Sequence, residues 1–161
     1  MRRLRVLTAL TMVLAVACAS EPASVTERER VPDAEGVVAD IGPAGVKLAD
    51  GSGFELEGEV ESFTTRGHNF VPLAQLKGRY VHIGLQDRKV AWIASIGIVP
   101  EGDTQFPYTG VLDRVEDGRA YFEDGTVLRL DGSIQAPEGG RTVLAVVDAA
   151  RKLVVELRPQ S

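Results

Sequence analysis

Two 25-residue segments of this chain echo each other at a constant offset of 74: GVVADIGPAGVKLADGSGFELEGEV (36–60) and GVLDRVEDGRAYFEDGTVLRLDGSI (110–134). Gly36, Val37, Asp50, Gly51, Leu56 and Gly58 return as Gly110, Val111, Asp124, Gly125, Leu130 and Gly132. The apolar positions between them keep register, Ile41 with Val115, Leu48 with Phe122, Phe54 with Leu128 and Val60 with Ile134. The echo resumes where GRYVHIGLQDRKVAWI (78–93) parallels GRTVLAVVDAARKLVVE (140–156), with one extra residue in the second turn. A tandem duplication constrains the fold strongly, because both copies must reach the same structure. Each copy has only about 50–65 residues, near the lower limit for a core that stands alone, so the two are expected to pack together.

Each copy reads as five short strands. In the first they fall at about 36–41, 45–49, 53–60, 79–85 and 89–98; in the second at about 109–116, 119–123, 126–131, 141–148 and 152–158. Val, Ile, Tyr and Phe dominate these runs, as suits a pleated, half-buried surface. Asp50-Gly51 and Asp124-Gly125 sit between alternating runs and predict type I′ hairpins, in which both central residues take φ > 0. Helical periodicity is nearly absent; Pro72 to Gly78 offers one turn of helix, closed by glycine.

The expected fold is therefore all-β. Two tandem five-stranded small barrels, OB-like or SH3-like, would remove exposed sheet edges by closing. A single ten-stranded sandwich is the alternative. The strand order, the short turn before the fourth strand and the run PLAQLKGRYVHIGL resemble small exported bacterial barrel domains of unknown function. The first repeat would span 36–99 and the second 109–161, joined by a linker at 100–108.

The first 20 residues, MRRLRVLTALTMVLAVACAS, carry Arg2, Arg3 and Arg5 and then a charge-free run from Val6 to Ala17. That run is shorter than the roughly 20 apolar residues a membrane-spanning helix needs. It matches the apolar part of a secretory signal, so 1–17 reads as a signal peptide. Leu14-Ala15-Val16-Ala17-Cys18 resembles the lipobox of bacterial lipoproteins, with Ala15 where that family usually has Leu. The resemblance implies cleavage before Cys18, a diacylglycerol on its thiol, and a protein anchored by lipid to a cell membrane outside the cytoplasm. The alternatives are a secreted soluble protein, since Ala15 and Ala17 also suit an ordinary signal peptidase, and a plain anchor helix. The stretch 18–35 is polar and aperiodic and reads as a tether; as a flexible coil its 17 residues after the cysteine would reach on the order of 23 Å.

Cys18 is the one cysteine of the chain. Once lipidated it leaves no thiol for a disulfide, a metal site or a nucleophile. Cleavage would also remove three arginines and no acid, taking the formal charge from −5 to −8. Such an acidic chain is unsuited to nucleic acid, which Lys and Arg hold by neutralising phosphates.

The copies differ most between their third and fourth strands, where the first carries twelve extra residues, SFTTRGHNFVPL (62–73). A loop held on a rigid scaffold is a common seat of function. Phe63, Thr65, Arg66, His68, Asn69 and Phe70 are the candidate binding residues: Arg66 and His68 for an anion or a sugar hydroxyl, the phenyl rings as apolar walls. The structural alternative is a loop whose aromatics plug the barrel end.

Other features read as structure. Glu55, Glu57, Glu59 and Glu61 share one strand face, solvated rather than a cation cage. Asp50-Gly51-Ser52-Gly53 lacks the Lys and helix of a phosphate loop. His82 shares a strand face with Tyr80 and reads as a surface histidine; Trp92 alternates with Val90, Ala94 and Ile96 and reads as core. No nucleophile elbow and no singled-out carboxylate pair appears. The expectation is a non-catalytic envelope interaction module without cofactor, acting through the 62–73 loop or a groove between the copies; the alternatives are a binder of a small ligand or glycan and, last, a hydrolytic enzyme.

Overall fold

A computed structural model describes residues 30–160. The signal segment, Cys18 and all of the tether before Arg30 lie outside the described residues. Ten strands form: β1 (Ala34–Gly42), β2 (Gly45–Leu48), β3 (Gly53–Thr64), β4 (Arg79–Gln86), β5 (Lys89–Ile98), β6 (Gln105–Glu116), β7 (Arg119–Phe122), β8 (Val127–Arg129), β9 (Arg141–Asp148) and β10 (Leu153–Pro159). Two 3-10 turns, Arg66–His68 and Leu73–Leu76, lie between β3 and β4. No helix among the described residues is long and apolar enough to cross a membrane.

The turns differ from expectation in an informative way. Asp50-Gly51 and Asp124-Gly125 are not type I′, because only the glycines are left-handed (φ 91° and 82°). The aspartate side chains instead accept the N–H groups of Ser52 (2.9 Å) and Thr126 (3.0 Å), two residues on. A short carboxylate that can bond its own backbone in this way favours the wider loop. The tight turns with two positive φ values fall at Asp117-Gly118 and Asp87-Arg88.

The first five strands close into a barrel in the order β1-β2-β3-β5-β4, with β4 returning to β1. β3 and β5 run parallel and every other pair is antiparallel. The last five form a sheet in the order β10-β9-β6-β7-β8, the same neighbours in the same sequence. The register repeats as well. Val38↔Leu48 and Asp40↔Lys47 around a bulge become Leu112↔Phe122 and Arg114↔Tyr121 around a bulge. Gly36↔Val81 becomes Gly110↔Val143. The parallel pair Leu56↔Val90 recurs as a single parallel bridge, Leu130↔Val154, between the two edges of the second sheet. The ladder corrects one alignment detail. The β4–β5 turn is bounded by Gln86↔Lys89 and the β9–β10 turn by Asp148↔Leu153, so the second is longer by two residues rather than one.

Two cores result. Val38, Val46, Leu48, Val81, Ile83 and Ile93 fill the barrel, joined by Val71 and Leu76 from the β3–β4 connection. Leu112, Phe122, Val143 and Val154 line the second sheet, and their cluster continues through Phe106 and Tyr108 onto the outer face of the barrel at Tyr80, Ala94 and Ile96. Close approach here needs glycine. A Cβ at Gly97 would stand 2.5 Å from the Phe106 ring, and one at Gly84 would stand 2.0 Å from the Trp92 indole. The half-buried Trp92 packs against this shared core.

Two boundaries shift. β1 begins at Ala34, inside the stretch read as tether, and Asp33 already donates its N–H to the Ile83 carbonyl (2.9 Å). β6 begins at Gln105, so the connection is shorter than 100–108. Both follow from pairing: β4 and β9 are long enough to recruit the flanking residues as partners.

Candidate functional site

The 62–73 loop is stitched to itself. Phe63 and Phe70 form a bridge, Val71 donates to the Ser62 carbonyl (3.0 Å) and the Ser62 hydroxyl donates to the Val71 carbonyl (2.5 Å). The Thr64 hydroxyl donates to the Arg66 carbonyl (2.9 Å) and accepts from the Asn69 N–H (3.3 Å). Gly67 (φ 80°) and His68 (φ 49°) turn the chain between them.

The candidate residues then part company. Phe63 is buried, stacked on the His68 ring at 4.1 Å, with the Arg30 guanidinium 4.7 Å from its centroid. His68 Nε2 and Arg30 each lie 3.1 Å from the Glu61 carboxylate. Burial works to raise that carboxyl, but the bonds from His68 and Arg30 outweigh it and hold it below the usual range. Phe70 points outward at 76 % exposure and, with Glu59, Glu61, Phe63 and His68, lines an open recess of about 400 Å³. Thr65 is buried toward the second sheet, beside the Tyr108 hydroxyl, which donates to Asp124 (2.6 Å). Arg66 lines a different recess with Thr109, Glu123 and Asp124. Asn69 is exposed.

Arg66 faces the second sheet, while Glu59 and Glu61 accompany His68 in the other recess. The aromatics do not plug the barrel end; Val71 and Leu76 enter its core instead. The four alternating glutamates are exposed, as a solvated face, and no group of three or more metal-ligating side chains forms among the described residues.

The expectation for His82 is corrected. The histidine is buried, at 1 % exposure, not a surface residue. The second half covers the outer face of β4, so both faces of that strand are buried. His82 Nε2 lies 3.4 Å from Glu35 Oε2, within ion-pair range but without hydrogen-bond geometry. The same carboxylate accepts from the Tyr80 hydroxyl (3.0 Å), and its other oxygen accepts from Arg129 of the second sheet (3.0 Å). Burial acts to raise the Glu35 carboxyl, but His82, Tyr80 and Arg129 together hold it below its ordinary value. Burial, with the Glu35 charge beside it, pushes the Tyr80 hydroxyl far up.

Sequence reasoning expected the halves to pack with a groove between them, but not that Glu35, His82 and Arg129 meet there. Charged residues on strands read as solvent-facing unless it is known which face a second element will cover. Clefts of about 320 and 470 Å³ flank the junction, the first lined by Glu35, Arg119 and Arg129 among others, the second by Val37, Val99, Pro100 and Ala149. Compared with family models, with curated proteins and with solved structures, the chain matches none.

Proposed function

We propose that this chain is a lipid-anchored, non-catalytic interaction module of the cell envelope, made of two tandem OB-like barrels that present the 62–73 loop to an envelope protein. The exposed Phe70 carries the reading. A phenyl ring left in water on the returning arm of a hydrogen-bonded loop gains most from burial against a partner, and aromatic anchors dominate interface energetics. The tandem-barrel reading draws on the repeated strand order and on the Leu130↔Val154 bridge, which stands where the closing pair of the first barrel stands. The anchoring reading draws on the run Leu14 to Cys18. The non-catalytic reading draws on Thr64, whose hydroxyl is committed to its own loop.

A glycan is the second reading. It is favoured by one feature of the same recess, where the Phe70 ring lies beside the acceptor carboxylates of Glu59 and Glu61, a pairing that suits the CH face and hydroxyls of a sugar.

The test is photo-crosslinking from the neighbouring exposed position 69 in the native host, in the parent and in the Phe70→Ser variant. One discrete protein adduct, lost when Phe70→Ser abolishes binding at unchanged melting temperature, supports the protein partner. Adducts of glycan fragments alone support the second reading, and no adduct of either kind sinks both. The mass of the mature N-terminus decides the anchor: a Cys18 start bearing diacylglycerol supports it, and an unmodified start overturns it.

A further inference from the structure

β7 and β8 set Arg119 directly opposite Arg129 in their ladder. Opposed residues share a sheet face, with Cβ atoms roughly 4.5–5.5 Å apart, and like charges there repel. The fold does not require this pair, since the equivalent positions of the first half are Gly45 and Glu55. Arg129 is answered by Glu35 at 2.9 Å. Arg119 is half-buried, and no carboxylate among the described residues forms an ion pair with it.

Lys152 joins them from the β9–β10 turn, the turn that is two residues longer than its counterpart. Its ammonium bonds Asp50 at 2.7 Å, and that bond, with help from Ser52, draws the Asp50 carboxyl down to about 2. The three cations line one cleft of about 320 Å³ at the junction, with Ser52 on its wall. Two acids also line it, and both are engaged: Asp33 accepts the Leu85 N–H at 2.7 Å, and Glu35 accepts from Arg129 and Tyr80. The volume falls within the roughly 300–1,000 Å³ of small-molecule sites.

We propose that this cleft binds a small organic oxyanion, a carboxylate or phosphomonoester, gripped by Arg119 and Arg129 with Lys152 as third cation. Guanidinium forks match such groups in two-pronged fashion. An oxyanion between the arginines turns their repulsion into a shared attraction. The cleft shares no residue with the Phe70 recess, so this site stands independently of the partner proposed there.

Inorganic phosphate and succinate are the probes, titrated against the chain's melting temperature and by calorimetry at constant ionic strength held with chloride. A saturable rise with either probe is expected, and the stronger one identifies the group. Arg119→Gln should weaken that probe at least tenfold while leaving the anion-free melting temperature equal or higher, because it removes a like-charge contact. Arg141→Gln, exposed and outside this cleft, should bind as the parent does. A parent with no saturable response beyond chloride overturns the proposal, as does an Arg119→Gln protein that binds as well as the parent.

Discussion

Glu35 is the residue on which the two halves meet electrostatically. Its side chain is 13 % exposed and bonds Tyr80 of the barrel and Arg129 of the second sheet. Its folded carboxyl titrates below the ordinary value, so it stabilises the fold above the unfolded carboxylate pKa and that contribution is lost as pH falls through the folded one. Asp50, drawn down to about 2 by Lys152, acts in the same direction. Thermal stability should therefore hold near neutrality and fall as pH drops from about 4.5 toward about 2. Glu35→Gln should cost about 1–3 kcal/mol at pH 7, through weakened bonds to Arg129 and Tyr80, and should flatten the acid limb. Urea melts across pH check both, and a Glu35→Gln protein with an unchanged limb would remove Glu35 from the account. None of this was legible in the sequence. Glu35 stood in a polar stretch before the first repeat, and His82 alternated with apolar residues as an exposed residue would. Burial of both comes from long-range packing, which a strand's own period does not encode.

At the scale of elements, the duplication was the most legible feature, because matching turn residues and apolar register must produce matching ladders. Strand ends were less so, since β1 and β6 extend only as far as β4 and β9 offer partners. The Asp-Gly turns depart from type I′ because side-chain capping by Asp50 and Asp124 competes with the geometry that the dipeptide also permits. The tight β4–β5 turn instead carries Asp87 and Arg88 at φ 52° and 68°. A left-handed conformation costs an L-residue about 1–2 kcal/mol relative to the right-handed one, and glycine is free of that cost. Arg88 is exposed and forms no ion pair among the described residues, so Arg88→Gly should raise stability by roughly 0.5–1 kcal/mol, less than the full strain because glycine adds unfolded-state entropy. The candidate loop was legible as an insertion but not in its aim: Arg66 and His68 are neighbours in sequence, and the turn at Gly67 sends them to different recesses.

For the whole molecule, the decisive fact is that one core crosses from the second sheet to the outside of the barrel. Phe106 is 1 % exposed, its ring 5.2 Å from that of Tyr80 and pressed on Gly97. Halves of this size gain little by folding alone, and here Tyr80 and Ala94 of the barrel complete a core whose other members line the second sheet. The chain should unfold in one step. Trp92 is the one tryptophan and packs against this shared core, so its fluorescence reports the junction while circular dichroism reports all ten strands. The two signals should coincide through denaturation. Phe106→Ala leaves a cavity at the seam and should cost about 3–5 kcal/mol, moving both signals together. If the fluorescence transition moves ahead while most of the strand signal persists, the halves are separately stable and the junction is a docking contact. In that event Glu35, Arg129 and Lys152 would act as a clasp between two folded units, and the oxyanion cleft would open and close with it.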